Sequence, residues 1–121
     1  YLRWNNPQTG SSTEVVTASG FTGNVSAVHA SPYTANRVYF GMGSGGIQVV
    51  DNANTGTSVT ATSITPGGAS GYVNCVVTGS SDQHLIATYS SYNVMNVWVS
   101  TNGGTSWTGI DGNLCTCHHC W

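Results

Sequence analysis

The chain has 121 residues, enough for one small domain with a core of its own. Only 5% of the side chains are charged, there is no lysine, and the formal net charge is −2. Phosphate-binding and polybasic surfaces need clustered cations, so neither nucleic acid nor a membrane is an expected partner. No apolar run approaches the roughly 20 residues of a membrane span, and the many aromatic and β-branched residues exclude a disordered chain.

Ser, Thr, Asn and Gly stand where charges would be, the composition of an extracellular β-protein hydrated by hydroxyls and amides. A secreted or cell-surface location is therefore expected. The opening Tyr1-Leu2-Arg3-Trp4 has no starting Met and no apolar leader segment follows, which predicts an internal piece of something longer. No helical periodicity runs over a useful length. Short Val/Thr/Tyr/Ile-rich runs alternate with Gly/Asn/Ser/Pro clusters instead, the pattern of strands and turns. Strands are predicted over residues 14–18, 24–30, 37–41, 46–50 and 58–64, then over 72–78, 84–89, 94–100 and 106–110. Pro32 cannot donate to a ladder and belongs in the loop 31–36, whose counterpart is 79–83.

The two sets of four strands repeat. Gly23-Asn24-Val25-Ser26-Ala27-Val28 aligns with Gly71-Tyr72-Val73-Asn74-Cys75-Val76 at an offset of 73 − 25 = 48 residues. Val38 aligns with Leu85 at an offset of 85 − 38 = 47, and Val50 with Val99 at 99 − 50 = 49. A period of about 40–50 residues filled with short strands marks propeller blades. The expected fold is all-β, a partial β-propeller of about two four-stranded antiparallel blades. Residues 1–22 would end a preceding blade, 23–67 and 68–110 would form the two blades, and 111–121 would be a link or an aberrant tail.

Residues 100–107 read Ser-Thr-Asn-Gly-Gly-Thr-Ser-Trp. This run resembles the Asp-box, the Ser-x-Asp-x-Gly-x-Thr-Trp hairpin of sialidase-like and related β-propellers. Ser100, Gly104 and Trp107 match it. Asn102 stands for Asp and Ser106 for Thr, and both keep a short polar side chain able to bond nearby backbone N–H groups. The corresponding site in the first blade, residues 51–56, is degenerate. The resemblance implies a secreted bacterial propeller, glycoside-hydrolase- or sialidase-like or a cell-surface protein, with its Asp-boxes away from the catalytic face.

Sialidases use an arginine cluster for a carboxylate, with a Tyr–Glu pair and an Asp for the glycosidic chemistry. This chain has only Arg3 and Arg37, the latter in an Asn36-Arg37-Val38-Tyr39 run that such proteins use structurally. Its carboxylates are Glu14, Asp51, Asp82 and Asp111, and nothing in their spacing nominates a hydrolytic pair. Asp51 and Asp82 read as turn caps. Whether a parent protein is an enzyme stays open; the chain alone is expected to lack a full active site and to need further blades. The alternative is a small two-blade lectin that oligomerises into a closed propeller and binds carbohydrate.

Aromatic residues in or beside loops suit sugar C–H faces, which nominates Tyr89, Tyr92, Trp98 and Tyr33 as carbohydrate contacts. Trp107 is assigned to the fold. Cys115, Cys117, His118, His119 and Cys120 are zinc-capable, but they are crowded into one segment with no second ligand pair upstream, so neither a metal site nor a cofactor is expected. Cys75 alternates with Val73 and Val77, which predicts a buried thiol.

Overall fold

The structure, a computed structural model, describes residues 1–5, 7–10, 13–92 and 94–112. The Cys/His-rich run with Cys115, Cys117, His118, His119 and Cys120 lies outside the described residues. The strands are β1 (Leu2–Trp4), β2 (Thr13–Val15), β3 (Thr17–Ser19), β4 (Val25–Ala30), β5 (Val38–Met42), β6 (Ile47–Val50), β7 (Ser58–Thr60), β8 (Thr62–Ser63), β9 (Tyr72–Thr78), β10 (Leu85–Ser90), β11 (Val97–Ser100) and β12 (Thr108–Gly109). A 3-10 turn spans Pro7–Thr9. The fold is all-β. Two four-stranded antiparallel sheets dominate it, β4-β5-β6-β8 and β9-β10-β11-β12. They close into neither a barrel nor a ring.

The remaining strands form two-stranded pairs, β1 with β2 antiparallel and β3 with β7 parallel. The predicted strand 14–18 is split at Val16, whose N–H donates to the Tyr1 carbonyl at 2.7 Å. The predicted strand 58–64 is split at Ala61, whose N–H donates to the Ser19 carbonyl at 2.9 Å. The first half serves the N-terminal segment and the second half serves β6.

Register makes the two sheets equivalent strand by strand. Val38 pairs with Val50 as Leu85 pairs with Ser100, so Val50 corresponds to Ser100 and not to Val99. The sequence alignment was one residue short there, because Val matches Val while the hydrogen-bonded ladder counts from the second strand. Both sheets also carry a bulge at the same place. Val25 and Ala27 oppose Met42 and Gly41, as Val73 and Cys75 oppose Tyr89 and Thr88. The extra residue reverses the alternation. Val73 and Val76 point into the core, while Cys75 is exposed, which corrects the expectation of a buried thiol.

One face of the first sheet, with Tyr39 and Ile47 at its centre, packs on Val73, Val76, Leu85, Ala87 and Tyr89 of the second. The approach is close because residue 41 is glycine: a Cβ there would lie 2.9 Å from the Val73 Cβ. The opposite face of the first sheet holds Phe40, Met42 and Val50. Tyr1 and Phe21 cover it, their ring centroids 5.4 and 5.0 Å from that of Phe40. Ile86, the counterpart of Tyr39, points away from this packing and is 39% exposed. The sheets therefore stack in the same sense, the back of the first on the front of the second.

Polar ties lock the stack. Ser26 Oγ donates to the Val73 carbonyl at 2.8 Å, and the Thr78 N–H donates to His29 Nε2 at 3.2 Å. Asp82 is buried and accepts from Ser31 Oγ at 2.6 Å, from Thr34 Oγ1, and from Arg37 Nη1 at 3.4 Å. Arg37 also holds Asp51 with two N–H groups, at 2.6 and 3.1 Å. Neither aspartate is simply a cap of its own turn: Asp82 bridges the sheets, and Asp51 anchors the guanidinium that reaches it. Burial pushes the Asp82 carboxyl up, but donors from Ser31, Thr34 and Tyr39 and the charge of Arg37 outweigh it, and the carboxyl titrates below the ordinary aspartate value. Stability from this latch is therefore present above about pH 4 and lost as the pH falls below that value. Asp82→Ala, which leaves two hydroxyls without their acceptor and Arg37 with Asp51 alone, should cost about 2 kcal/mol in a urea titration at pH 7. Asp82→Asn should flatten the acid dependence of the midpoint between pH 5 and pH 3.

Candidate functional site

The ends of the stack differ in kind. At one end lies the 100–107 turn, joining β11 to β12 as the motif predicts. Ser100 is buried, and its Oγ accepts the N–H of Gly104 at 2.9 Å and of Asn102 at 3.3 Å while donating to Asn102 Oδ1. Asn102 Oδ1 accepts the Ser106 N–H at 2.9 Å, and its Nδ2 donates to Ser106 Oγ at 2.7 Å. All the loop's short polar side chains named by the motif are thus spent on the turn itself. Gly104 and Trp107 reach the neighbouring sheet. Gly104 has φ of +91°, and a Cβ on it would sit 2.7 Å from the Ile64 Cβ. Trp107 is half-buried, and its indole N–H donates to the Ile64 carbonyl at 2.6 Å. This end is structural.

The other end carries a cavity of about 270 Å³, lined by Tyr89, Ser90, Ser91, Tyr92 and Asn96. Register places it there: Leu85 pairs with Ser100, so β10 runs from the turn end at Leu85 to the cavity end at Ser90. Tyr89 is buried, its phenol donates to the Gly45 carbonyl of the first sheet at 3.0 Å, and burial pushes the phenol up. Tyr92 is 80% exposed and offers its ring to solvent. Asn74 Nδ2 donates to Ser90 Oγ at 2.6 Å, and Asn96 Nδ2 donates to the Ser91 carbonyl at 2.9 Å. These bonds fix the polar rim from both flanking strands.

Of the nominated aromatics, the structure brings Tyr89 and Tyr92 together and leaves Trp98 and Tyr33 out. Trp98 pairs with Ala87 and Gly109, packs against the inter-sheet core, and donates its indole N–H to the Met95 carbonyl at 3.1 Å. Sequence reasoning missed Ser90, Ser91 and Asn96. Their one signal was the hydroxyl and amide side chains of residues 90–93 and Asn96 between two strands.

Asn96 is bonded in turn to Asp111, also missed as a neighbour of this site. Its Oδ2 accepts the Asn96 backbone N–H at 2.7 Å. Asp111 Oδ1 and Asn96 Oδ1 are buried without a hydrogen-bond partner. Among the described residues, no three His, Cys, Asp or Glu side chains gather to hold a metal ion. The cavity offers hydroxyls, a carboxamide and an aromatic face, a donor–acceptor set suited to a polyhydroxylated ligand.

The turn end makes a graded test. Gly103 has φ of +70° with 3.6 Å of room, whereas Gly104 combines positive φ with the contact to Ile64. Gly103→Ala should cost about 1 kcal/mol, and Gly104→Ala at least about 3 kcal/mol, measured by denaturant unfolding. Asn102→Ala should cost about 0.5–2 kcal/mol, less than Gly104→Ala. Equal costs at 103 and 104 would show that the Ile64 contact carries no weight. No protein-family model, no curated protein and no solved structure matches this chain.

Proposed function

We propose that the chain supplies two consecutive blades of a secreted or cell-surface β-propeller of the Asp-box kind, and that its cavity end binds carbohydrate. The observation that carries the binding reading is the lining of the cavity, two tyrosines with serine hydroxyls and an asparagine, opposite the structural turn. The propeller reading rests on the same-sense stacking. A head-to-tail interface either closes into a ring or runs on, and the outward face of the second sheet repeats the one that the first sheet buries. Cys75, Val77, Ile86, Thr88, Val97 and Val99 form that face, at positions equivalent to Ala27, His29, Tyr39, Gly41, Ile47 and Val49. The occupant it fits is a further four-stranded blade.

Glycoside hydrolysis needs two carboxyl groups across the scissile bond. Asp111 is the one carboxylate at the cavity end; Glu14, Asp51 and Asp82 are all engaged at the turn end. A hydrolytic pair would need a carboxylate from outside this chain, so binding is the activity assigned to the chain itself. One observation favours the ring of copies as a second reading. The outer side of the β1–β2 pair exposes Leu2, Trp4 and Val15, an apolar surface at the far end of the stack that another copy's second sheet could cover.

Two measurements check these proposals. Saturation-transfer NMR with a panel of neutral oligosaccharides should show sugar contacts that Tyr92→Ala and Asn96→Ala abolish and Trp98→Phe keeps. No transfer from any sugar overturns the binding reading. In sedimentation, the chain should self-associate or bind a hydrophobic dye, and Ile86→Lys should reduce both. A dye-silent monomer would mean that the outward face needs no partner.

A further inference from the structure

The charges are partitioned between the two ends, and that partition points to what the cavity accepts. The chain has six charged residues, two arginines and four carboxylates, and all are described. Arg3 is bound to Glu14 and donates to the Ala53 and Gly56 carbonyls, which follow β6 at the turn end. Arg37 and its partners Asp51 and Asp82 lie at the same end, beside the starts of β5 and β10. Five of the six charges are therefore at the turn end. From there to the cavity the length of β10 intervenes, about 17 Å at 3.3 Å per residue. That exceeds the Debye length of about 8 Å at physiological ionic strength, and both guanidiniums are already neutralised by carboxylates.

The sixth charge is Asp111, bonded to Asn96 of the cavity lining. It is 7% exposed and receives one N–H, from Asn96, while its second oxygen and the Asn96 carboxamide oxygen have no donor. Two unmet acceptors, one of them a carboxylate oxygen, make the potential at the cavity negative, and among the described residues no guanidinium lies close enough to offset it. Among the described residues the lining carries no charged side chain: its polar groups come from Ser90, Ser91, Tyr92 and Asn96. A sugar hydroxyl both donates and accepts, and it fits such a lining. A carboxylate or sulfate ester only accepts, and it would enter a negative field without a counter-charge.

We propose that this cavity selects uncharged sugars and rejects acidic ones, uronic, sialic or sulfated. The inference rests on the carbohydrate reading above and deepens it, turning the sialidase-like resemblance away from anionic substrates for this part of the molecule. The test pairs sugars that differ only in the acid group, methyl glucoside with methyl glucuronide and methyl galactoside with methyl galacturonide, titrated by NMR at physiological ionic strength. The neutral member of each pair should bind about tenfold or more tightly than the acidic one. Asp111→Asn should narrow that ratio by raising the affinity for the acid; should that variant not fold, raising the salt on the unaltered chain should narrow the ratio in the same direction. Equal or tighter binding of the acidic sugars overturns the selectivity while leaving carbohydrate binding intact. Binding of neither member removes the carbohydrate reading and the selectivity with it.

Discussion

The close approach of Gly41 and Val73 is the contact on which the rest of the molecule depends. Because residue 41 has no Cβ, Val73 can seat itself in the face of the first sheet, and β9 then lies against both β4 and β5. That seating buries Tyr39, Ile47, Val76 and Leu85 in one core and sets the stacking angle for everything beyond it. The second sheet has Thr88 where the first has Gly41. A neighbour placed on its outward face would meet a side chain there, so a further interface could not copy this one atom for atom.

Much of this architecture could be read from local chemistry. Strand positions, the meander order and the turn at 100–107 follow from β-branched runs, turn residues and hydroxyl-to-backbone bonds within a few residues of one another. What could not be read depends on partners far along the chain. Asp82 looks like a turn residue until Ser31, Thr34 and Arg37 are brought beside it. The parallel pairing of β3 with β7 joins segments about 40 residues apart, and no local pattern announces it. The bulge opposite Tyr89 was hidden for a different reason. In Val73-Asn74-Cys75-Val76-Val77, apolar residues occupy both faces in turn, so simple alternation assigned Cys75 to the wrong one.

The site divided along the same line. Tyr89 and Tyr92 were legible as aromatics near a loop, and Trp98 was not separable from them, because only the ladder shows that it shares a face with Ala87. The bond from Asn96 to Asp111 crosses a whole hairpin. The most heavily cross-bonded parts of the molecule, the latch and the 100–107 turn, stand away from the cavity, which is framed by a loop and a strand end. Such a division lets loops vary in what they bind while the scaffold is held by contacts that do not take part.

The side chains at the inner edge of β9 have a consequence for assembly. This strand is the last of its sheet, so its outer backbone groups face no strand of their own. Ser26 and His29 occupy two of them, the Val73 carbonyl and the Thr78 N–H. An open edge of this length would invite a stray chain to add itself by backbone pairing, the first step towards fibrous aggregation. With those groups already taken by another sheet's side chains, recruitment at this edge would have to displace a serine and an imidazole first. Accretion along the hydrogen-bonding direction is thus obstructed here, and the direction left open is face upon face.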